Sequence, residues 1–428
     1  MADLNQVDNA ALSSQKSELE RRYQGYLSAG LKLDMTRGKP CAEQLDLSSE
    51  MLNALGPSDF KSASGVDCRN YGGVDGLPEA KALFAQFLEV SEEEVIVGGN
   101  SSLTLMYESV AHACSHGVPG GSAPWRGQGN IKFLCPTPGY DRHFSVCEHQ
   151  RIEMIAVPTT EQGPDMAVVE RLAAQDDSIK GIWVVPKYSN PTGVTLSDAV
   201  VERLASMKAA PDFRIFWDNA YTVHHLTSAR PSLRNIQSAC KDAGNPDRAL
   251  LFGSTSKISF AGAGVAVMGG SPANMDWMRG HLSMMTIGPD KLNQLRHVRF
   301  FKDMAGIEAH MAKHAAIIAP KFDAVDRVLS RELAGLQLAT WNKPIGGYFI
   351  SFDAVAGCAS RVVELARKAG VTLTNAGATF PYGKDPNDQN IRIAPSLPSL
   401  AEIEEAMGVF AVCVKLATLE QLSRVPSS

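Results

Sequence analysis

Residues 249–257 read ALLFGSTSK, a short apolar run that leads through three hydroxyl-bearing residues to Lys257. A run of this length and composition is typical of a buried β-strand. Similar apolar runs recur along the middle of the chain, separated by patterns typical of helices, at 95–97, 131–134, 152–157, 181–185, 213–217 and 265–268. This alternation predicts an α/β fold in which a mostly parallel sheet lies between two layers of helices.

The length of the chain, 428 residues, indicates more than one domain, because single domains usually contain about 100–200 residues. The strand and helix alternation occupies the middle of the chain, whereas a polar helical pattern precedes it and a mixed α+β pattern follows it. We therefore expect an N-terminal arm over 1–50, a large domain over 51–325 and a small domain over 326–428. The arm is expected to join the small domain.

Composition and charge exclude several classes of protein. The formal net charge of −5 offers no broad basic surface for nucleic acid, and no uncharged apolar run is long enough to span a bilayer. The eight cysteines are scattered without C-x-x-C pairs, which favours free thiols in a reducing compartment over a disulfide framework or a zinc site. The opening residues, MADLNQVDNA, lack the pattern of a signal peptide. We expect a cytoplasmic protein that binds a small molecule, without nucleic acid, membrane or metal.

Polar residues follow several of the predicted strands, at the edge where an open parallel sheet binds its ligand. GGNSS at 98–102 opens a helical pattern over 102–115, and such a loop can either cradle a phosphate or serve only as a turn with a serine cap. Asp218 and Tyr221 follow one run, and Lys257 follows the next. Singly, these residues have ordinary explanations as caps, turns and solvated charges. Together they supply what pyridoxal 5'-phosphate requires, namely an amine for its aldehyde, a carboxylate for its ring nitrogen, donors for its phenolic oxygen and a phosphate cup.

Eight short motifs follow one another along the chain. They are RGKP at 37–40, YGGVDGLP at 71–78, GGNSS at 98–102, PTPGY at 136–140, NPTG at 190–193, DNAY at 218–221, STSK at 254–257 and NIRI at 390–393. This order resembles fold-type I aminotransferases of class I/II, and more narrowly their divergent bacterial aspartate aminotransferase-like subgroup. The resemblance implies a pyridoxal 5'-phosphate enzyme that is a homodimer with shared active sites. It also implies a large domain with a mixed, mostly parallel sheet, and a smaller α+β domain built from the arm and the C-terminal part.

The resemblance implies roles for individual residues. Lys257 would bind the cofactor covalently and move the proton at the substrate's α-carbon, while Asp218 would pair with the pyridine nitrogen. Asn190 and Tyr221 would donate to the phenolic oxygen, and the Tyr140 ring would stack on the pyridine. The implied phosphate ligands are Ser101, Ser102, Ser254, Thr255 and, from the neighbouring subunit, Tyr71.

One position departs from the family. Many class I enzymes carry an arginine eight residues after the lysine, where it pairs with the phosphate, and Val265 stands there in this chain. The phosphate is therefore expected to be held by backbone amides and hydroxyl groups. His224 and His225 are interpreted as wall residues and not as a metal pair, because adjacent side chains diverge.

Substrate recognition is expected to depend on arginine, because a guanidinium meets a carboxylate with two parallel hydrogen bonds. The resemblance implies that Arg392 binds the α-carboxylate, with Asn190 and the backbone of Gly38 as helpers. Lys291 and Arg37 are candidates for a distal carboxylate, and both can equally be solvated surface charges.

The predicted reaction transfers an amino group from an amino acid, with aspartate or glutamate expected, to a 2-oxo acid such as 2-oxoglutarate. Alanine and aromatic aminotransferases and β-lyases share the fold, so the fold alone does not separate them. A regulatory sensor with an aminotransferase-like domain is disfavoured, because no basic DNA-recognition helix is evident before the RGKP motif.

Overall fold

The computed structural model describes residues 9–423, with side chains from residue 16 onward. Residues 1–8 of the predicted arm and 424–428 of the predicted small domain lie outside it. Among the described residues, none of the helices combines the length and the apolar composition that crossing a bilayer requires.

The N-terminal segment packs on the C-terminal part of the chain. It consists of helix α1 (Asn9–Ala29), strand β1 (Leu33–Asp34) and helix α2 (Ala42–Asp46). The Tyr23 hydroxyl donates to the carbonyl of Leu365 at 2.9 Å, and β1 pairs in parallel with a two-residue strand near residue 371.

An eight-stranded sheet forms the centre of the molecule. Its strands are β2 (Val95–Val97), β3 (Lys132–Thr137), β4 (Glu153–Thr160), β5 (Gly163–Pro164), β6 (Ile179–Val184), β7 (Arg214–Asp218), β8 (Ala249–Ser254) and β9 (Ala266–Gly270). They lie in the order β2-β9-β8-β7-β6-β3-β4-β5. The pairs within β8-β7-β6-β3-β4 are parallel, whereas β9 runs antiparallel to both of its neighbours and β5 antiparallel to β4. The predicted mixed, mostly parallel sheet is confirmed.

Helices cover both faces of this sheet. They are α3 (Pro78–Leu88), α4 (Ser102–His116), α5 (Asp141–Gln150), α6 (Met166–Gln175), α7 (Asp198–Ser206), α8 (Ile236–Asp242), α9 (Pro272–Met285) and α10 (Lys291–Phe301). Successive side chains of a strand point to opposite faces, so Val95 and Val97 belong to one apolar core and Ile96 to another.

The remaining elements form a smaller α+β unit. They are α11 (Met304–Leu333), β10 (Ala339–Trp341), β11 (Ile350–Ala354), α12 (Ala359–Lys368), β12 (Val371–Thr372), β13 (Asn390–Ile393) and α13 (Leu400–Leu422). Strands β10, β11 and β13 form an antiparallel sheet. Ile307, near the start of helix α11, lies in an apolar core of the large domain. Leu329, near the end of the same helix, lies in the apolar core of the smaller unit. The predicted boundary at 325/326 therefore falls inside one continuous helix, and it stays a prediction.

Candidate active site

A cavity of about 190 Å³ opens at the carboxyl ends of the central strands. Because β7 lies between β6 and β8 in the sheet, the loops that follow three adjacent strands converge on it. The predicted cofactor residues that line the cavity are Ser101, Ser102, Tyr140, Asn190, Asp218, Tyr221, Ser254 and Lys257. Of the predicted cofactor residues, Thr255 and Tyr71 do not line it.

Lys257 lies in the loop after β8, with its Nζ 4.9 Å from the centre of the Tyr221 ring. The loop is held from behind, because the Lys257 carbonyl accepts a hydrogen bond from His224 Nε2 at 3.3 Å. Gly264 packs against the loop so closely that a Cβ there would lie 3.1 Å from the Ser256 nitrogen. A side chain at position 264 would therefore require this loop to shift by a few tenths of an ångström at Ser256.

Asp218 ends strand β7 and is only 2% exposed. Its Oδ2 lies 3.1 Å from Nε2 of His143, and the His143 ring stacks on Trp183 with centroids 4.5 Å apart. Among the described residues, the other carboxylate oxygen, Oδ1, has no hydrogen-bond partner although it is buried. A buried acceptor without a donor costs about 1–3 kcal/mol, so this oxygen fits a donor that enters the cavity.

Asn190 and Tyr221 bring hydrogen-bond donors to the wall of the cavity. The buried Asn190 Nδ2 has no acceptor among the described residues, while its Oδ1 accepts from Arg392 Nη1 at 3.3 Å. Burial, and after it the Asp218 carboxylate, raises the pKa of the Tyr221 phenol well above its usual range. Tyr221 therefore keeps its proton and can donate it in a hydrogen bond.

Hydroxyl groups collect where helix α4 begins. Ser101 is the N-cap residue of α4, and its side chain makes no capping hydrogen bond, so its hydroxyl is free for another partner. The Ser254 hydroxyl donates to the Ser256 hydroxyl at 3.2 Å, and both residues line the cavity. The free N–H groups and the positive end of a helix favour an anion at this point.

The place of the Thr255 side chain differs from the one that the sequence suggested. Thr255 is fully buried, and its hydroxyl accepts from the Val265 backbone at 2.8 Å and lies 3.1 Å from His297 Nε2. The Thr255 hydroxyl therefore bonds to neighbours outside the cavity and does not line it. Ser256, which the sequence analysis did not select, takes its place beside Ser254.

Arg392 in β13 is 7% exposed, and its Nη1 donates to Asp141 Oδ1 at 2.7 Å. The guanidinium lies over the Phe349 ring, 4.9 Å from its centre. Gly38 lies against the tip of the Phe349 ring, since a Cβ at this position would be 2.5 Å from the Cζ atom of that ring. The predicted residues Arg392, Asn190 and Gly38 thus lie together, and Asp141 joins them unpredicted.

Three predicted residues lie apart from the cavity of their own chain. Tyr71 is 81% exposed, and Arg37 is exposed as well. Lys291 is only 4% exposed, and its Nζ donates to the Gly72 carbonyl at 2.6 Å. The alternative that Lys291 is a solvated surface charge is therefore wrong. Instead, Lys291 anchors the loop that carries Tyr71.

His224 and His225 point to different partners. Burial, and after it the positive charge of Lys257, lowers the pKa of His224 to about 3, so this imidazole stays neutral behind the lysine. His225 Nδ1 lies 2.6 Å from the Tyr188 hydroxyl. This divergence agrees with a structural role for the two histidines.

Two of the polar residues at the site, His143 and Asp141, were missed by sequence reasoning. Both lie in the first turn of α5, directly after the PTPGY motif that supplied Tyr140. Their position in the turn after a ligand-binding motif is the signal that could have found them.

The chain matches known proteins over almost its full length. The family model described as "Aspartate amino-transferase" matches residues 7–425. A protein of Corynebacterium glutamicum named aspartate aminotransferase is 48% identical over 404 residues, which cover 94% of this chain and 93% of that protein. The crystal structure of an aspartate transaminase from the same organism superposes with a TM-score of 0.94 at 47% identity, covering 97% of this chain and 98% of that one. The crystal structure of a putative aminotransferase from Corynebacterium diphtheriae gives a TM-score of 0.92 at 49% identity, covering 94% and 100%.

Proposed function

The chain belongs to the aspartate amino-transferase family and is an aminotransferase with the fold-type I architecture, and on this premise we propose that it uses pyridoxal 5'-phosphate to transfer the amino group of aspartate or glutamate to a 2-oxo acid such as 2-oxoglutarate. The observation that carries the proposal is a pair of buried polar atoms in one cavity, Asp218 Oδ1 and Asn190 Nδ2, that lack partners among the described residues.

These two atoms fit the polar edges of the cofactor. Asp218 Oδ1 is an acceptor, as a protonated pyridine nitrogen requires, and Asn190 Nδ2 is a donor, as a phenolic oxygen requires. Tyr221, which keeps its proton, can supply a second donor to that oxygen. Pyridoxal 5'-phosphate bound here would supply an electron sink for the electron pair left on the substrate's α-carbon.

Lys257 is proposed to hold the cofactor and to act on the substrate's proton. The Lys257 side chain lines the cavity, where its amine could take a proton from the α-carbon of a bound amino acid and later give it back to the substrate–cofactor adduct. The hydrogen bond from His224 to the Lys257 carbonyl fixes the loop from which the side chain extends. A neutral His224 adds no positive charge beside the Lys257 amine.

The phosphate is proposed to lie at the beginning of α4. Ser101 and Ser102 come from this helix end, Ser254 from the end of β8 and Ser256 from the loop after it, and all four line the cavity there. Val265 is buried in the core of the large domain, so the usual arginine has no counterpart at this position. The helix end and the hydroxyl groups are proposed to balance the phosphate charge instead.

A homodimer with shared active sites is proposed on the basis of an exposed apolar surface around Tyr71. Tyr71, Met284 and Ile287 are all more than half exposed, and the loop that carries Ile287 touches the loop that carries Tyr71, since a Cβ on Gly288 would lie 2.5 Å from the Gly72 carbonyl. Exposed apolar clusters of this kind mark interfaces. In the dimer, Tyr71 would reach the phosphate site of the partner subunit.

The eight cysteines are free and buried, which supports the proposed cytoplasmic location.

The dicarboxylate preference rests on the available cations. Arg392 would bind the α-carboxylate that all amino-acid substrates share. Arg37 and Lys291 are the two candidates for the distal carboxylate of a substrate bound in the partner's cavity. Arg37 is exposed, whereas the buried Lys291 would have to release the Gly72 carbonyl to reach that carboxylate. The name of the Corynebacterium glutamicum relative supports aspartate as donor.

A panel of donors tests the substrate assignment. Aspartate, alanine and phenylalanine would be assayed with 2-oxoglutarate, and glutamate with oxaloacetate, using enzyme saturated with pyridoxal 5'-phosphate. We expect the highest kcat/KM for aspartate or glutamate. A higher value for alanine or phenylalanine would contradict the proposed substrate while leaving the aminotransferase assignment intact.

A further inference from the structure

Three histidines meet on the surface of the large domain, away from the active site. His112 and His116 lie one turn apart in α4, and His281 faces them from α9. The His112 and His281 rings are stacked with centroids 4.0 Å apart, and the His116 and His281 centroids are 4.8 Å apart. One nitrogen from each ring lies within 4.8 Å of the others.

An acidic residue precedes the histidine cluster on α4. The half-buried Glu108 lies one turn before His112 on α4 and has no ion-pair partner among the described residues. Burial raises the pKa of its carboxyl group.

A methionine sulfur also lies against the histidine cluster. Met285, the last residue of α9, places its Sδ 3.1 Å from His112 Nε2. Trp277 lies edge-on to both His112 and His281 and fixes the inner side of the cluster. Its indole donates to the Gly117 carbonyl at 3.0 Å, which ties α9 to the end of α4.

We propose that His112, His116 and His281 form a binding site for a divalent transition-metal ion of the zinc class, with water at the fourth position. Three imidazoles and an open position are a common ligand set for Zn²⁺. Tetrahedral ligands at about 2.0–2.1 Å from zinc lie roughly 3.4 Å apart, so the side chains must close by somewhat more than 1 Å. One of the stacked rings of His112 and His281 must also turn, because the coordinating lone pair of an imidazole lies in the ring plane. The exposed His116 is free to turn. The ion would join the far end of α4 to α9, about 21 Å along the helix from its cavity end.

This site is separate from the proposed active site and was not expected from the sequence, which predicted no metal. The i, i+4 pair in α4 is readable from the sequence. The third ligand, His281, comes from a distant part of the chain, and its approach depends on the packing of α9.

The test is a calorimetric titration of the untagged, cofactor-saturated enzyme with ZnCl₂ after treatment with a chelator. We expect one saturable site per chain, with affinity at least tenfold weaker in His116→Ala and in His281→Ala. His149→Ala is the matched control, because His149 is exposed on α5 and lies outside the cluster, and it should bind zinc as the wild type does. Absence of a saturable site, or equal affinity in wild type and His116→Ala, would overturn the proposal.

Thermal unfolding provides a second reading that does not depend on calorimetry. Zinc should raise the Tm of the wild type and of His149→Ala, because an ion that binds the folded state stabilises it. The rise should disappear in His116→Ala, whose exposed position makes misfolding an unsuitable explanation. An equal rise in all three proteins would place the zinc elsewhere and contradict the site.

Discussion

Arg392 Nη1 donates to the carboxylate of Asp141 at 2.7 Å, so the arginine proposed to bind the substrate already holds a carboxylate of its own chain. The Asp141 side chain is 34% exposed and that of Arg392 7%. The aspartate can therefore turn to solvent more readily than the arginine can move. A buried guanidinium left unpaired is costly, and Asp141 supplies its counter-charge while no substrate is present.

Asp141→Asn should therefore tighten the binding of carboxylate ligands. A substrate carboxylate would no longer compete with an internal one, and for a partly exposed ion pair we expect the Kd of succinate to fall about two- to fivefold. The measurement is inhibition by succinate in wild type, Asp141→Asn and the control Glu148→Gln, which alters an exposed acid on the same helix. Weaker succinate binding in Asp141→Asn alone would show that the aspartate holds Arg392 in place for the substrate.

Asp218→Asn should leave the cofactor attached and remove most of the activity. The ring nitrogen would lose the carboxylate that keeps it protonated, and the loss of such an electrostatic stabiliser typically costs about 10²–10³-fold in kcat. The check is kcat together with the visible absorbance of the lysine-bound cofactor. His143→Gln, which removes only the neighbour of Asp218 Oδ2, should lower kcat less. A kcat within a few-fold of wild type in Asp218→Asn would be incompatible with the assigned role.

Mixed dimers should regain activity that neither parent has. Lys257→Ala lacks the lysine, and Tyr71→Phe lacks the hydroxyl proposed to reach the partner's phosphate. In a mixed dimer, one active site combines the intact Lys257 of one chain with the intact Tyr71 of the other. We expect activity to rise when the two variants are unfolded and refolded together, relative to each refolded alone. If mixing gives only the average of the parents, Tyr71 does not act across the interface.

The distal anchor is tested by a ratio of specificities. Losing a cation that pairs with a half-buried carboxylate should lower kcat/KM for aspartate by at least about tenfold relative to alanine. We expect this for Arg37→Ala or Lys291→Ala. Since Lys291 holds the Gly72 carbonyl, its replacement should also weaken cofactor binding, whereas that of Arg37 should not. An unchanged aspartate-to-alanine ratio in both variants would remove the dicarboxylate assignment.

Much of the fold could be predicted because most strands of the large sheet are short, buried and almost continuously apolar. Each run predicted in the large domain corresponds to an observed strand. Strand order and the antiparallel direction of β9 could not be predicted, because a buried strand has the same apolar pattern in either direction. The same limit applies to the two-residue strands β1 and β12, whose pairing connects the two ends of the chain.

The site residues could be predicted where each lies at or just after the carboxyl end of a predicted strand. Asn190, Asp218 and Lys257 follow three adjacent strands and line one cavity. Residues whose roles depend on a distant partner could not be predicted, as with Asp141, which meets Arg392 from the other end of the chain. Thr255 shows a different limit, because the motif STSK does not state which of its hydroxyls face the cavity, and Ser256 lines it instead.

The most direct test of the central assignment is borohydride reduction of the enzyme followed by peptide mass spectrometry. In the wild type, a phosphopyridoxyl group should be found on the peptide that contains Lys257. Lys257→Ala should carry none and should have no measurable turnover, and Lys257→Arg, which keeps the positive charge, should behave in the same way. A reduced adduct on another lysine together with retained activity in Lys257→Ala would contradict the account.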